Sequence, residues 1–408
     1  MGVGMDRHTF AAALLMATSS ATAASSSWLT VGETAYRQLK QGGHKVTIRA
    51  NRPALAADLG AAENVYVLEV PARELPRIAG TLHRKLRHCG GFMYHASEAE
   101  ARRVLEAKIV ASDVTRPSYV IASQAKVTPM LAQMDEARIA QTIGKLSGFV
   151  NRYYTSVHGI EASNWLRQAW AELGAAHDGI SVEQITHANY GQRSVIATIA
   201  GSDKAAEVIV LGAHLDSINM SSSRVNAVAP GADDDASGVA GLTEVLRVIA
   251  AGNYRPRRTI KLIAYAAEEV GLRGSQDIAR DFKQNKVDVV GVLQLDMTNY
   301  KGSGKDIYLI SDYTDAPQNA FLVKLIETYL PTVTVGSDRC GYACSDHAAW
   351  NALGFPASMP FESSMGQDNP AIHTKNDTYA NSGNQAAHAL KFTRMAAAFA
   401  IELGSEPQ

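Results

Sequence analysis

The sequence predicts an α/β fold, a three-layer sandwich with a mixed, largely parallel central sheet, preceded by a small α+β unit. Three observations carry this expectation. Strand and helix patterns alternate from about residue 118, the strand candidates are short apolar runs, and several of them end in a group able to bind a metal.

Residues 1–23 read as a secretory signal peptide. Arg7-His8 precede an apolar run at 10–17, followed by small residues and an A-x-A site, Ala21-Thr22-Ala23. The expected product is exported. Residues 24–117 look unlike the remainder and are expected to form a propeptide, with the boundary between 108 and 125. Within them, 64–70 alternates like a strand. Residues 75–86 form an amphipathic helix with Pro76 in its first turn, 97–107 is again helical, and 108–112 is a short strand candidate. Thr115-Arg116-Pro117 marks the junction.

Residues 118–408 then form one catalytic unit of about 290 residues, near the upper limit for a single hydrophobic core. Strand candidates are 194–199, 207–212, 259–266, 289–295, 307–311 and 355–359. Helix candidates are 137–155, 162–173, 237–251, 273–286, 317–330, 345–353 and 386–403. Ser237 is expected to cap its helix, because Val239, Leu242, Val245, Leu246 and Ile249 make a helical stripe behind it.

Composition excludes several function classes. A net charge of -1 leaves no footprint for nucleic acid or an anionic membrane. No interior run approaches the ~20 apolar residues of a membrane span. Three cysteines suit an exported protein with one disulfide and one thiol left over, Cys89, which leaves with the propeptide. Pairing Cys340 with Cys344 closes a very short loop, with a chain-entropy gain of only about 2 kcal/mol. A two-cysteine metal site is the alternative.

The chemistry concentrates at Asp233-Asp234-Asp235, in a Gly-rich turn with no Lys or Arg between Gly231 and Gly241. Three adjacent carboxylates repel one another, so a positive partner is required, and a divalent metal supplies it. Ligands of open α/β sheets gather at strand carboxyl ends. The first of these strands runs into His214 and Asp216, the next into Glu268-Glu269, and a third into Asp296; His373 adds a second imidazole. A lone histidine is more often structural than a ligand, and an Asp after a strand is more often a turn residue. Two histidines and three carboxylates on one sheet edge are another matter, since they furnish two zinc ions if one carboxylate bridges them.

Five ordered blocks carry a resemblance: Gly212-Ala213-His214-Leu215-Asp216-Ser217, residues 232–238, Ala266-Ala267-Glu268-Glu269-Val270-Gly271, Gln294-Leu295-Asp296-Met297 and Ile372-His373-Thr374. They resemble the M28 family of di-zinc aminopeptidases, and within it the secreted bacterial leucyl aminopeptidase of Vibrio/Aeromonas type. Residues 340–347 and 359–363 look like that subgroup's own signatures, and the similarity spans 125–405. The resemblance implies a zinc exopeptidase fold and a metallo-aminopeptidase that removes leucine or other large apolar N-terminal residues.

It also implies roles. Asp234 bridges two Zn2+, His214 and Asp296 complete one site, and Glu269 and His373 the other. Glu268 is the general base, and Asp216 orients His214. Asp235 supports an unusual Asp-Asp backbone step, where the family often has a cis peptide, and Asp233 faces solvent. Tyr342 helps an oxyanion or is a buried ring on the disulfide; both readings stand. Met297, Cys340, Tyr342, Cys344, Met359, Phe361 and Ile372 resemble the wall of the pocket for the first side chain. Met365 and Asp368 replace aromatics at its rim and point to tolerance of Met, Lys or Arg. Expected partners are peptide or protein N-termini and the chain's own propeptide, acting as inhibitor or folding assistant, with no nucleic acid, no membrane and a monomeric state. A single-zinc glutaminyl cyclase and a non-catalytic ectodomain on the same fold, as in transferrin receptors, are the competing readings. A complete ligand set with its base disfavours both.

Overall fold

The computed structural model describes residues 26–53, 63–86, 90–106, 116–220 and 224–405. The signal pattern, Cys89, the 108–112 strand candidate and Thr115 lie outside the described residues.

The N-terminal unit contains β1 (Ser26–Gly32), α1 (Glu33–Gln41), β2 (Thr47–Arg52), β3 (Val65–Pro71), α2 (Leu75–Leu86), β4 (Phe92–His95) and α3 (Glu98–Glu106). Its four-stranded sheet has the order β2-β3-β1-β4 and is antiparallel throughout. Leu29, Val31, Leu68 and Val70 face α1 and α2 in a small core of its own. A second apolar layer joins this unit to the rest of the chain. Val65, Val67, Met93, Ala101 and Leu105 pack with Leu272, Tyr313, Tyr342 and Ala348.

The larger unit continues with α4 (Gln124–Ala132), α5 (Glu136–Ser147), α6 (Val157–Gly174), β5 (Ile180–Ile185), β6 (Ser194–Ile199), β7 (Lys204–His214), α7 (Ala236–Ala251), β8 (Arg258–Tyr265) and α8 (Arg273–Gln284). It ends with β9 (Asp288–Gln294), β10 (Ile307–Ile310), α9 (Ala316–Tyr329), β11 (Val335–Asp338), α10 (His347–Asn351), β12 (Ala357–Ser358), β13 (Pro360–Phe361) and α11 (Ala387–Ser405). The central sheet has the order β12-β9-β7-β8-β6-β5. Pairs β12·β9, β9·β7 and β7·β8 are parallel, whereas β8·β6 and β6·β5 are antiparallel. The mixed three-layer sandwich is therefore present.

Period-2 alternation explains the layers. Ile209, Leu211 and Ala213 of β7, with Ile260, Leu262 and Ala264 of β8, face the core under α5, α7 and α11. Val208, Val210, Ile263 and Tyr265 face the other way, onto Ile278 and Phe282 of α8 and Trp350 of α10. Strands buried on both faces read as continuous apolar runs, which is why they were visible in the sequence.

The local corrections have local causes. Helix 137–155 stops at Ser147, because Asn151 Oδ1 accepts from the Tyr153 amide (3.1 Å) and the Ser156 hydroxyl (2.7 Å), competing with helical bonding. Asp235, not Ser237, caps α7, accepting from the Gly238 amide. Ser237 instead donates to the Asp233 carbonyl and accepts from the Thr298 amide. The 355–359 strand shrinks to two residues. Helix α4 carries Pro129 in its interior, a residue that reads as a breaker. Edge strand β5 escaped notice because its half-exposed Ser181-Val182-Glu183 carries no apolar run. No described helix is long and apolar enough to cross a membrane.

Candidate metal centre

Parallel pairing brings the carboxyl ends of β7, β8 and β9 to one edge. His214 is level with Tyr265 across β7·β8, and Gly212 is level with Gln294 across β7·β9. The next few residues of each strand therefore converge: His214, Glu268-Glu269 and Asp296. Asp234 arrives from the turn before α7, and His373 from the loop before α11. The left-handed φ values of Ala267, Met297 and His373, 56° to 59°, show that this edge departs from regular backbone.

Asp234 stands between the two histidines. Its Oδ1 is 2.9 Å from His214 Nε2, and its Oδ2 is 2.9 Å from His373 Nε2. Asp296 Oδ1 lies 3.5 Å from the first imidazole and Glu269 Oε2 lies 3.2 Å from the second. Ligand atoms on one tetrahedral zinc, each at about 2.0–2.2 Å, stand about 3.3 Å apart. The 3.2 and 3.5 Å separations bracket that spacing, and the two made by Asp234, at 2.9 Å, are somewhat shorter. Both carboxylate oxygens of Glu268 and of Asp296 are buried without a hydrogen bond. A carboxylate buried in that state is costly unless a cation is to be added, so the donor set fits two metal ions.

The neighbouring residues hold this set in place. Asp216 accepts from the Glu268 amide (3.0 Å) and the Glu269 amide (3.2 Å), one on each oxygen. Its carboxylate is 3.5 Å from His214 Nδ1, and its main-chain oxygen is nearer, at 3.1 Å. Asp216 thus positions three site residues at once. Asp235 also lies within ligand reach of His214 and Asp296. Its oxygens, however, accept the amides of His214, Gly238 and Met297, so it acts as a backbone clamp, and the Asp234–Asp235 peptide is cis. A Cβ on Gly238 would come within 2.6 Å of the Leu295 carbonyl, so only glycine lets α7 approach so closely.

Asp233 is a correction. It is buried, accepts from the Asn299 amide and from Asn369 Nδ2, and lies beside Glu362. Burial pushes Asp233 up to about 6 and Glu362 well above the carboxylate range. The neighbouring Asp377 accepts the Asp233 and Asp234 amides and is pushed up to about 8 by burial and by those carboxylates. Asp377 carries one sequence signal, its place four residues after His373. Arg152 carries none; it is a fully buried guanidinium bonded to the carbonyls of Leu215, Pro230 and Gly231. Burial pulls Arg152 down, while Asp377, Asp235, Asp234 and Asp216 pull it up. A positive group beside the Asp triplet thus comes from Arg152, 78 residues before Pro230.

Electrostatics separate the site residues. Burial lifts Glu268 well above the usual carboxylate range, and lifts Glu269 to about 7. Burial lowers His214 and His373, but the facing carboxylates more than reverse this. His214 ends well above an ordinary imidazole, by Asp296, Asp216 and Asp234, and His373 reaches about 10, by Glu269 and Asp234.

Six of the seven residues expected to wall the pocket lie together, and Tyr342 packs elsewhere. Met297, Cys340, Cys344, Met359, Phe361 and Ile372 form one apolar cluster with Ile310, and Met365 packs on its edge. Cys340 and Cys344 are joined in a disulfide with Cα atoms 6.0 Å apart, which removes the two-cysteine metal alternative. Two residues differ from expectation. Tyr342 lies edge-on to Tyr313, and its hydroxyl donates to Thr30 of the N-terminal unit (2.7 Å), so in this state it is committed there. Asp368 is buried and accepts from the Gly366 amide in its own turn.

The model of peptidase family M28 matches residues 194–399. A probable leucine aminopeptidase of Arthroderma otae is 36% identical over 310 residues, covering 74% of this chain and 84% of the relative. The crystal structure of LapB from Legionella pneumophila superposes with a TM-score of 0.77 at 32% identity, covering 93% of this chain and 100% of that one. The LapA aminopeptidase of the same organism gives 0.79 at 28% identity, covering 95% and 100%.

Proposed function

This chain belongs to peptidase family M28, and on that premise we propose a di-zinc aminopeptidase that hydrolyses the N-terminal peptide bond of peptides, preferring leucine or another large apolar residue. The observation that carries the reading is Asp234, whose two oxygens face two different histidines at the same 2.9 Å. A shared carboxylate offsets the repulsion of two cations held close together. His214 and Asp296 would hold one ion, and Glu269 and His373 the other.

When bound, the ions supply an acidified water and a polarised scissile carbonyl. Glu268 acts as general base, taking a proton from the attacking water and returning it to the departing amine. Asp216 holds the Glu268 and Glu269 amides, so base and ligand keep their relative placement during turnover. The cluster of Met297, Met359, Phe361 and Ile372 receives the first side chain. The finer resemblance to the Vibrio/Aeromonas type is supported by residues 340–347 and the disulfide within them. Secretion is supported by the signal pattern at 1–23, and a cleavable propeptide by the separate core of the N-terminal unit.

The test is metal content together with hydrolysis of Leu-, Lys- and Arg-anilides by purified protein. Two zinc ions and fastest turnover of the Leu substrate are expected. Fewer than two ions in the active protein overturns the reading. Lys and Arg turnover efficiencies below a hundredth of the Leu value exclude the broadened rim at Met365 and Asp368.

A further inference from the structure

One imidazole at the metal centre was not foreseen from the sequence. His83, in the last turn of α2, is fully buried against the second half-site. Its Nε2 is 2.9 Å from the main-chain oxygen of Glu269, and its ring meets that of His373 edge-on at 4.3 Å. A carbonyl can only accept, so Nε2 carries the hydrogen and, in the neutral ring, Nδ1 carries the lone pair. Nδ1 lies 3.6 Å from Glu269 Oε2. His83, Glu269 and His373 each offer a ligand atom within 4.8 Å of the others. With Asp234 Oδ2 beside His373, four donors surround this half-site, the complement of a closed tetrahedral zinc.

The placement of His83 is held from both sides. The Tyr94 amide donates to the Gly271 carbonyl (3.0 Å), and Gln276 Nε2 donates to the Tyr94 carbonyl (3.0 Å), fixing β4 to the loop that follows Glu269. Gly271 has φ +100°, and a Cβ there would come within 2.8 Å of the Tyr94 amide nitrogen, so this loop is shaped to admit β4. On the other side the Gly91 amide donates to the Ala343 carbonyl (2.9 Å), and the Tyr342 hydroxyl to Thr30.

We propose that His83 is a ligand of the Glu269–His373 metal ion for as long as the N-terminal unit stays docked, and that it keeps the enzyme latent by occupying the place of a substrate's α-amine. An imidazole nitrogen and a free α-amine are both neutral nitrogen donors, so they compete for one coordination position. A closed site binds metal without turnover, and an open position is what a catalytic site requires. This proposal rests on the di-metal reading above.

The test uses the full chain loaded with Co2+, wild type against His83→Ala. In the variant the visible absorption of one cobalt equivalent changes, and that equivalent escapes to a chelator at least about 10-fold faster. The other equivalent is unaffected, and hydrolysis of Leu-anilide rises. Releasing the N-terminal unit from the wild type by limited proteolysis after residue 106 produces the same spectral change, which covers a variant that folds poorly. Identical spectra and escape rates for wild type and variant, with no change on proteolysis, overturn the proposal while leaving the di-metal reading intact. A wild-type chain that takes up fewer than two equivalents overturns both.

Discussion

The two half-sites on either side of Asp234 are built differently. The His214–Asp296 side is supplied by adjacent parallel strands, β7 and β9, whose register fixes the separation of their ends. The Glu269–His373 side is supplied by a loop after β8, a second loop more than 100 residues later, and a helix of the N-terminal unit. The first half is a by-product of the sheet. The second depends on contacts that can be made and released, and there regulation has something to act on.

The largest effect expected is at the shared residue. Asp234→Ala should abolish uptake of both ions together and lower activity by more than about 1,000-fold. Retention of one tight equivalent, measured by elemental analysis, would show that the halves are independent. Glu268→Gln should keep both ions and lower kcat by about 100- to 10,000-fold, the range for a positioned base; a near wild-type rate would remove that role. Glu269→Gln should sharpen the contrast, loosening one equivalent by about 10- to 100-fold while the other holds.

The pH response follows from the buried acids. In the metal-free protein Asp233, Glu269, Asp377 and His373 all bind protons more tightly than in an unfolded chain, at about 6, 7, 8 and 10. Raised folded values stabilise at low pH, and that stability is lost as pH climbs through them. Asp234, held well below the carboxylate range by His214 and His373 despite its burial, works in the opposite sense but completes its change at acid pH. The Tm of metal-free protein should therefore fall as pH rises from about 6 to about 10. Zinc displaces the protons of Glu269 and His373, so the loaded protein should show a shallower fall. Calorimetry of both forms checks it. The smallest effect is expected at the rim, where Met365→Phe should alter the Leu-to-Lys preference by less than about 10-fold.

The reach of the sequence differed between the same two regions. His214, Glu268, Glu269 and Asp296 were legible because they follow apolar strands, and parallel strands necessarily deliver their ends to one edge. Asp233 was misread as solvent-facing, since nothing local announces the Asn369, Glu362 and Asp377 side chains that surround it. Tyr342 left two readings open, and its partner proved to be Thr30, 312 residues away.

By itself the sequence carried the sandwich, because periodicity is a property of short stretches, and, through the blocks that resemble family M28, it carried the family and the five residues expected around two metal positions. Only the tertiary structure decided that Asp216 clamps base and ligand together, that Arg152 lies beneath the acidic turn, and that His83 closes the second half-site. Each depends on a buried polar atom finding a partner far along the chain. The cost of leaving such atoms unpaired selects the partner, but only the packed fold reveals which residue it is.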